Sequence, residues 1–196
     1  MQSSVAAHDK KGFRGVCLMD IETLVQKIIP FDTLEQDHIN ETLLWIRSGA
    51  SLYRIEKPDV PFKHLVSYFV VLDEKSKKVL LVDHKKSGLW LPPGGHVEFN
   101  ESPKKTVKRE CLEELGIKAE FWSPMPLLLT STMTVGSTAG HVDVSLWYVV
   151  KGIFGQTFCF DQNEFQGIKW YAFHDIPFEK SDPHMRRFIQ KLENMI

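Results

Sequence analysis

Cysteine is scarce in this chain: three residues in 196, at positions 17, 111 and 159. Their scatter supplies neither a disulfide framework nor the paired spacing of a cysteine zinc site. Net charge is equally scarce, at −1, so no global field attracts a nucleic-acid backbone, and a nucleic-acid polymer is not an expected partner. Long apolar runs are missing as well. None reaches the roughly 18 residues of a membrane span, and residues 1–20 hold no apolar signal-peptide segment. The cytoplasm is the expected location and a membrane is not an expected partner. No internal repeat or low-complexity tract appears. What remains is an ordinary globular composition, 43% hydrophobic and 25% charged, with a length suited to one domain plus an extension.

Residues 1–15, MQSSVAAHDKKGFRG, are polar and aperiodic, and are expected to be disordered. Residues 16–56 read as an N-terminal helical extension outside the core domain. Ile21, Leu24, Val25 and Ile28 follow helical spacing until Pro30, and a second helix is predicted from Asp32 or Thr33 to Gly49. The extension is expected to pack against the domain; a dimer contact or a cap over a pocket are the alternatives. The core domain is assigned to 57–196. Strands are predicted at 65–73, 79–84, 118–121, 127–134, 141–150 and 168–173, with a C-terminal helix capped by Asp182-Pro183. Helices at both ends and in the middle, around a mixed sheet, predict an α/β/α sandwich.

The chemistry concentrates in residues 95–117, GHVEFNESPKKTVKRECLEELGI. Pro92-Pro93-Gly94-Gly95 must end the preceding strand in a rigid turn. Ser102 and Pro103 form a helix start, and Gly116 a helix stop, which predicts a helix of about thirteen residues. Val107, Cys111 and Leu115 make its buried stripe. Glu110, Glu113 and Glu114 share another face, at i, i+3 and i+4. Lysines 104, 105 and 108 crowd the N-terminal half while Glu113 and Glu114 sit in the last turn, so both placements oppose the helix macrodipole. Repeated violation of local rules marks a functional site. Clustered carboxylates become favourable around a hard divalent cation, and oxygen donors select Mg²⁺ or Mn²⁺.

Gly95, Glu101, Arg109, Glu110, Glu113, Glu114 and Gly116 fall at the fixed positions of the Nudix box, with Cys111 and Ile117 in its apolar slots; the chain resembles a Nudix hydrolase. Chance would produce seven such identities at roughly one window in 10⁸. The resemblance implies a Nudix-type α/β/α sandwich and water attack on a diphosphate with Mg²⁺ or Mn²⁺ present. It also implies that Glu110, Glu113 and Glu114 are metal ligands, with one of them a candidate base or water-orienter, that Glu101 is an outer ligand, and that Gly94 offers its carbonyl. Arg109 is expected to hold a neighbouring carboxylate such as Glu113 in orientation. Asn100 stands where many members carry Gly, and Asn tolerates the left-handed conformation.

Several residues outside the helix are candidates by position. Glu164, in the loop before the last strand, corresponds to a carboxylate that reaches the metals in several relatives, with Asp161 a weaker competitor. His96 could touch phosphate oxygens, Lys85 and Lys86 could bind phosphate, and Glu98 could hold a water or close the loop. His141 and Asp143 fall where a strand opens toward the pocket, with a structural role the default. Trp90, Tyr148, Phe158 and Phe160 could stack on a base, core packing being their default. The position where ADP-ribose enzymes of the family place Pro holds Met133, and the NADH-type signature is missing. Elimination favours a nucleoside triphosphate or modified nucleotide as the small-molecule partner, with a homodimer possible. The competing readings are an ADP-ribose or nucleotide-sugar pyrophosphatase and a non-catalytic nucleotide sensor.

Overall fold

The structure, a computed structural model, describes residues 15–56, 60–134 and 140–196, with side chains described from residue 21 onward. Its elements are α1 (Gly15–Gln26), α2 (Thr33–Arg47), β1 (Lys63–Asp73), β2 (Lys78–His84), β3 (Leu89–Leu91), β4 (Gly94–His96), α3 (Pro103–Leu115), β5 (Leu128–Met133), β6 (Val142–Lys151), β7 (Phe165–Ala172) and α4 (Met185–Glu193). The expected disordered segment lies outside the described residues, apart from Gly15, which opens α1. Among the described residues no helix is long and apolar enough to cross a membrane.

The strands form one mixed sheet in the order β3-β2-β1-β6-β5, with β4 also pairing β1 and β7 pairing β2. The β1–β6 pair is parallel, and the other pairs are antiparallel. Strand alternation then divides the apolar side chains between two faces. Leu65, Phe69 and Val71 of β1, with Leu146, Tyr148 and Val150 of β6, pack with Val107, Cys111 and Leu115 of α3. Val70 and Leu72, with Trp147 and Val149, pack on the opposite face with Met185, Phe188, Ile189 and Leu192 of α4. This is the α/β/α sandwich that the pattern predicts. Two readings need correction. Lys118–Phe121 is not a strand, because only Phe121 makes an isolated bridge, to Val150. α4 starts at Met185 rather than directly after Asp182-Pro183, since Asp182 Oδ1 accepts from the His184 amide at 2.7 Å in a preceding turn.

The N-terminal helices are part of this core rather than outside it. Ile21, Val25, Ile28, Ile39 and Ile46 belong to the same buried cluster as the α3 stripe. α2 covers the edge strand β5. Glu35, 0% exposed, accepts from the Leu129 amide at 3.1 Å and from the Phe31 amide at 2.7 Å. Its remaining demand is met by Lys191 of α4, with Nζ 2.9 Å from both carboxylate oxygens. Beside it, Arg187 grips Asp32, the N-cap of α2, through two hydrogen bonds of 2.7 and 2.6 Å. An otherwise open sheet edge is thereby closed by a side chain.

Removing one partner of a buried ion pair strands the other charge. Lys191→Ala is expected to cost about 3 kcal/mol, read as a lower urea midpoint at unchanged slope. The double variant Glu35→Gln/Lys191→Met should recover part of that loss.

Candidate active site

Pro92–His96 crosses the end of β1, and the glycines there answer to close approach. A Cβ on Gly94 would lie 2.3 Å from the Ser67 carbonyl oxygen, and one on Gly95 would lie 2.0 Å from Glu110 Oε1. Gly95 therefore leaves the space that the Glu110 carboxylate fills. Asn100 turns the loop at φ 65°, and α3 follows with Ser102 as N-cap and Gly116 in the left-handed conformation at its end.

Arg109 ties this loop to the helix. Its Nε and Nη2 reach the two oxygens of Glu101 at 3.2 and 3.0 Å, while Nη2 also donates to the His96 carbonyl at 3.2 Å. Nη1 reaches Glu110 at 2.6 Å and Glu113 at 3.1 Å. Burial works against the Arg109 charge, but the hydrogen bonds it donates to Glu101 and the charge of Glu110 outweigh it and hold its proton tightly. Burial likewise opposes Glu101 ionisation, and the hydrogen bonds from Arg109 and Thr106 reverse that, so its carboxyl lies below the usual range.

The glutamates expected to act together are not equivalent. Glu110 and Glu114 are buried, whereas the Glu113 side chain is 59% exposed. Glu114 Oε2 is buried and has no hydrogen-bond partner. Burial, then the charges of Glu110 and Glu164, push its pKa up to about 9 against the opposing Gly94 amide. Burial also raises Glu110, opposed by Arg109. Two buried carboxyls without enough positive charge beside them suit a divalent cation, and the orphaned Glu114 oxygen is where the protein itself supplies no partner.

A cavity of about 1210 Å³ opens against these groups. Gly94, His96, Glu98, Arg109, Glu110, Glu113, Glu114 and Glu164 line it, eight of the residues singled out from the sequence. Two others do not. Glu101 stands behind Arg109, occupied by it and by Thr106 Oγ1 at 2.8 Å. Lys85 turns its Nζ to the Gln162 carbonyl, and its neighbour Lys86 lines the cavity instead. His141 and Asp143 also face the cavity. Of the aromatic candidates, Tyr148 is core, Trp90 packs edge-on against Tyr171, and Phe158 and Phe160 pack on the buried cluster; Tyr68 and Phe165 supply the rings in the wall.

Sequence reasoning missed Arg54, Tyr68, Asp182 and His64. Arg54 lies in the irregular segment before β1 and reaches the wall without any periodic signal. His64 falls just before the strand predicted at 65–73; β1 begins at Lys63 instead, which gives His64 the strand parity of Tyr68.

The NUDIX domain family model matches residues 63–192. The chain belongs to the Nudix family. Nucleoside diphosphate-linked moiety X motif 6 from Homo sapiens is 29% identical over 150 residues, covering 74% of this chain and 44% of that protein. The uncharacterized Nudix hydrolase YvcI of Bacillus subtilis (strain 168) is 29% identical over 126 residues, covering 61% of this chain and 75% of its own. The chain thus spans less than half of the human relative. Among solved structures, a MutT NUDIX hydrolase from Burkholderia pseudomallei aligns with TM-score 0.54 at 22% identity, over 65% of this chain and 96% of that one. A UDP-X diphosphatase aligns over 91% of this chain and 93% of its own, with TM-score 0.52 and 16% identity. At these identities the two structures establish the shared Nudix fold alone.

The sign of the Glu114 shift makes a pH test. The folded chain keeps a proton that the unfolded chain releases between the ordinary value of 4.5 and about 9. With chelator present, stability should be greatest near the lower value and fall as pH rises through that window. Glu114→Gln should flatten this part of the profile of melting temperature against pH.

Proposed function

We propose that the chain hydrolyses a diphosphate bond in a nucleoside diphosphate linked to another moiety, with a nucleoside triphosphate or modified nucleotide as the favoured substrate. The observation that carries the reading is the buried pair Glu110 and Glu114, with Glu114 Oε2 unpartnered at the wall of a large cavity. Mg²⁺ or Mn²⁺ held there would neutralise the diphosphate and make water more acidic. Glu110 and Glu114 would be the principal holders, assisted by the Gly94 carbonyl and by the exposed Glu113. Arg109 keeps Glu110 and Glu113 in place, and Glu101 serves by anchoring Arg109.

The chain's own residues divide the remaining work. Glu164 lines the cavity, and its charge bears on both Glu110 and Glu114, so it is the candidate to orient and deprotonate the attacking water. Arg54 and Lys86, at the same wall, are positioned to take the charge of the phosphates that remain outside the reacting bond. Tyr68, half-buried at the wall, offers a ring for a base. Positioning and charge stabilisation of this kind are what phosphoryl transfer requires of a protein. The name printed for the human relative, nucleoside diphosphate-linked moiety X motif 6, supports the substrate class.

The test is a panel of nucleoside triphosphates, oxidised nucleotides, ADP-ribose, nucleotide sugars and dinucleoside polyphosphates with Mg²⁺ or Mn²⁺, following phosphate and pyrophosphate release. Glu110→Gln and Glu114→Gln should each lower kcat by about tenfold or more with the fold intact. Arg54→Ala should act mainly on KM, raising it by about tenfold. Tight nucleotide binding without turnover of any member of the panel would favour a sensor instead.

A further inference from the structure

His96, His141 and Asp143 of the cavity wall, with the fully buried His64 beside them, form a second group of donors whose chemistry differs from that of the glutamates. His64 on β1 pairs directly with Asp143 on β6, and His96 on β4 pairs with Val66, two residues along β1 from His64. His141 precedes Asp143 by two. Side chains two apart in a strand, or opposite one another across a ladder, share a face. The pleat therefore aims all four residues to one side of the sheet. One donor atom from each lies within 4.8 Å of all the others. The His64 ring is 4.6 Å from that of His96 and 4.8 Å from that of His141, centroid to centroid.

The hydrogen bonds around the rings make the centre of this group electron-rich. His64 Nδ1 lies 3.0 Å from the Pro61 carbonyl, which can only accept, so Nδ1 carries a proton and the neutral form of the ring would turn its Nε2 lone pair inward. His141 Nδ1 is likewise 3.2 Å from Thr134 Oγ1. Asp143 Oδ1 stands 3.2 Å from Nε2 of both His64 and His141. His64 Nε2, His96 Nε2 and Asp143 Oδ1 are all buried and make no hydrogen bond, and His64 is 0% exposed. Lone pairs facing a carboxylate oxygen repel. A second proton on His64 would satisfy its own Nε2 and Asp143 Oδ1 together, but would leave His96 Nε2 stranded beside an imidazolium. A single cation at the centre answers all of them.

We propose that His64, His96, His141 and Asp143 bind a Zn²⁺ ion, in a site separate from the magnesium-type site of the glutamates. Three imidazoles and one carboxylate are a donor set that favours zinc over the hard cations. Tetrahedral zinc with bonds near 2.1 Å requires donor separations of about 3.4 Å. The two 3.2 Å pairs already meet this, and no pair of donors is more than 4.8 Å apart. Pro61 and Thr134 orient two of the rings in the manner of outer-shell partners. Four protein ligands fill the coordination sphere, so the ion would be structural. It would clamp β1, β4 and the start of β6 at the point where the His96 carbonyl receives Arg109, and so hold the loop that carries Gly94 and Gly95.

The test uses the full chain, stripped with chelator and then titrated with Zn²⁺ or Co²⁺. The expected result is about one tightly held zinc per chain by elemental analysis after dialysis, and intense visible bands of tetrahedral Co²⁺. Glu110→Gln/Glu114→Gln should keep both. His64→Ala and His141→Asn should weaken Zn²⁺ by about 100-fold or more, and Thr134→Val by about tenfold. Zinc retained by both histidine variants, zinc lost in the glutamate variant alone, or only the weak bands of octahedral Co²⁺ in the unmodified chain would overturn the assignment. The cobalt spectrum decides the matter even where a histidine variant fails to fold. It is also independent of whether any nucleotide is cleaved.

Discussion

The Arg109 guanidinium is the interaction on which the site depends. A planar fork with five donors can address Glu101, Glu110, Glu113 and the His96 carbonyl together, which a lysine ammonium cannot do. Through these contacts one side chain sets the distance between the β4 loop and α3, and suppresses the repulsion of carboxylates one turn apart. One cation does not neutralise three carboxylates, and Glu114 lies beyond its reach. The negative charge left over is what gives the cavity its character. The helix accepts a local electrostatic penalty, and the surrounding core (Val107, Cys111 and Leu115, all fully buried) is what holds it in place.

Legibility in the sequence followed the range of the interactions involved. The box helix could be read to its ends because Ser102, Pro103 and Gly116 act on their nearest neighbours, and capping needs no tertiary information. The two N-terminal helices were legible for the same reason, through Asp32 and Pro30. Packing of the extension against the domain was expected too, but the contacts that secure it were not legible. Nothing local in α2 reveals that Glu35 will be buried against residues 129 and 191, so a charged position on a helix reads as solvent-facing. Equivalence among the box glutamates failed similarly: spacing places Glu110, Glu113 and Glu114 on one face, but only the position of the Pro92–His96 loop decides which of them are covered. Lys118–Phe121 resembled a strand by composition and lacked a partner along its length.

Two kinds of donor meet in one cavity, and they come from different structural sources. The oxygen donors come mainly from a helix and a glycine turn, where i, i+3 and i+4 spacing brings carboxylates together. The nitrogen donors come from neighbouring strands, where cross-strand register does the equivalent. Because these geometries are independent, the carboxylates and the imidazoles can be arranged without sharing a ligand. His96 is the residue where they touch, since its carbonyl belongs to the Arg109 network while its ring belongs to the histidine group.

The Glu35–Lys191 contact joins residues 156 positions apart in the chain. A ribosome delivers α2 early and α4 late, so Glu35 waits through most of synthesis without its cation. Until then the β5 edge has only a half-satisfied carboxylate over it, and the nascent domain is exposed along that strand to pairing with other chains. The carboxylate over that edge is therefore fully satisfied only once α4 is in place.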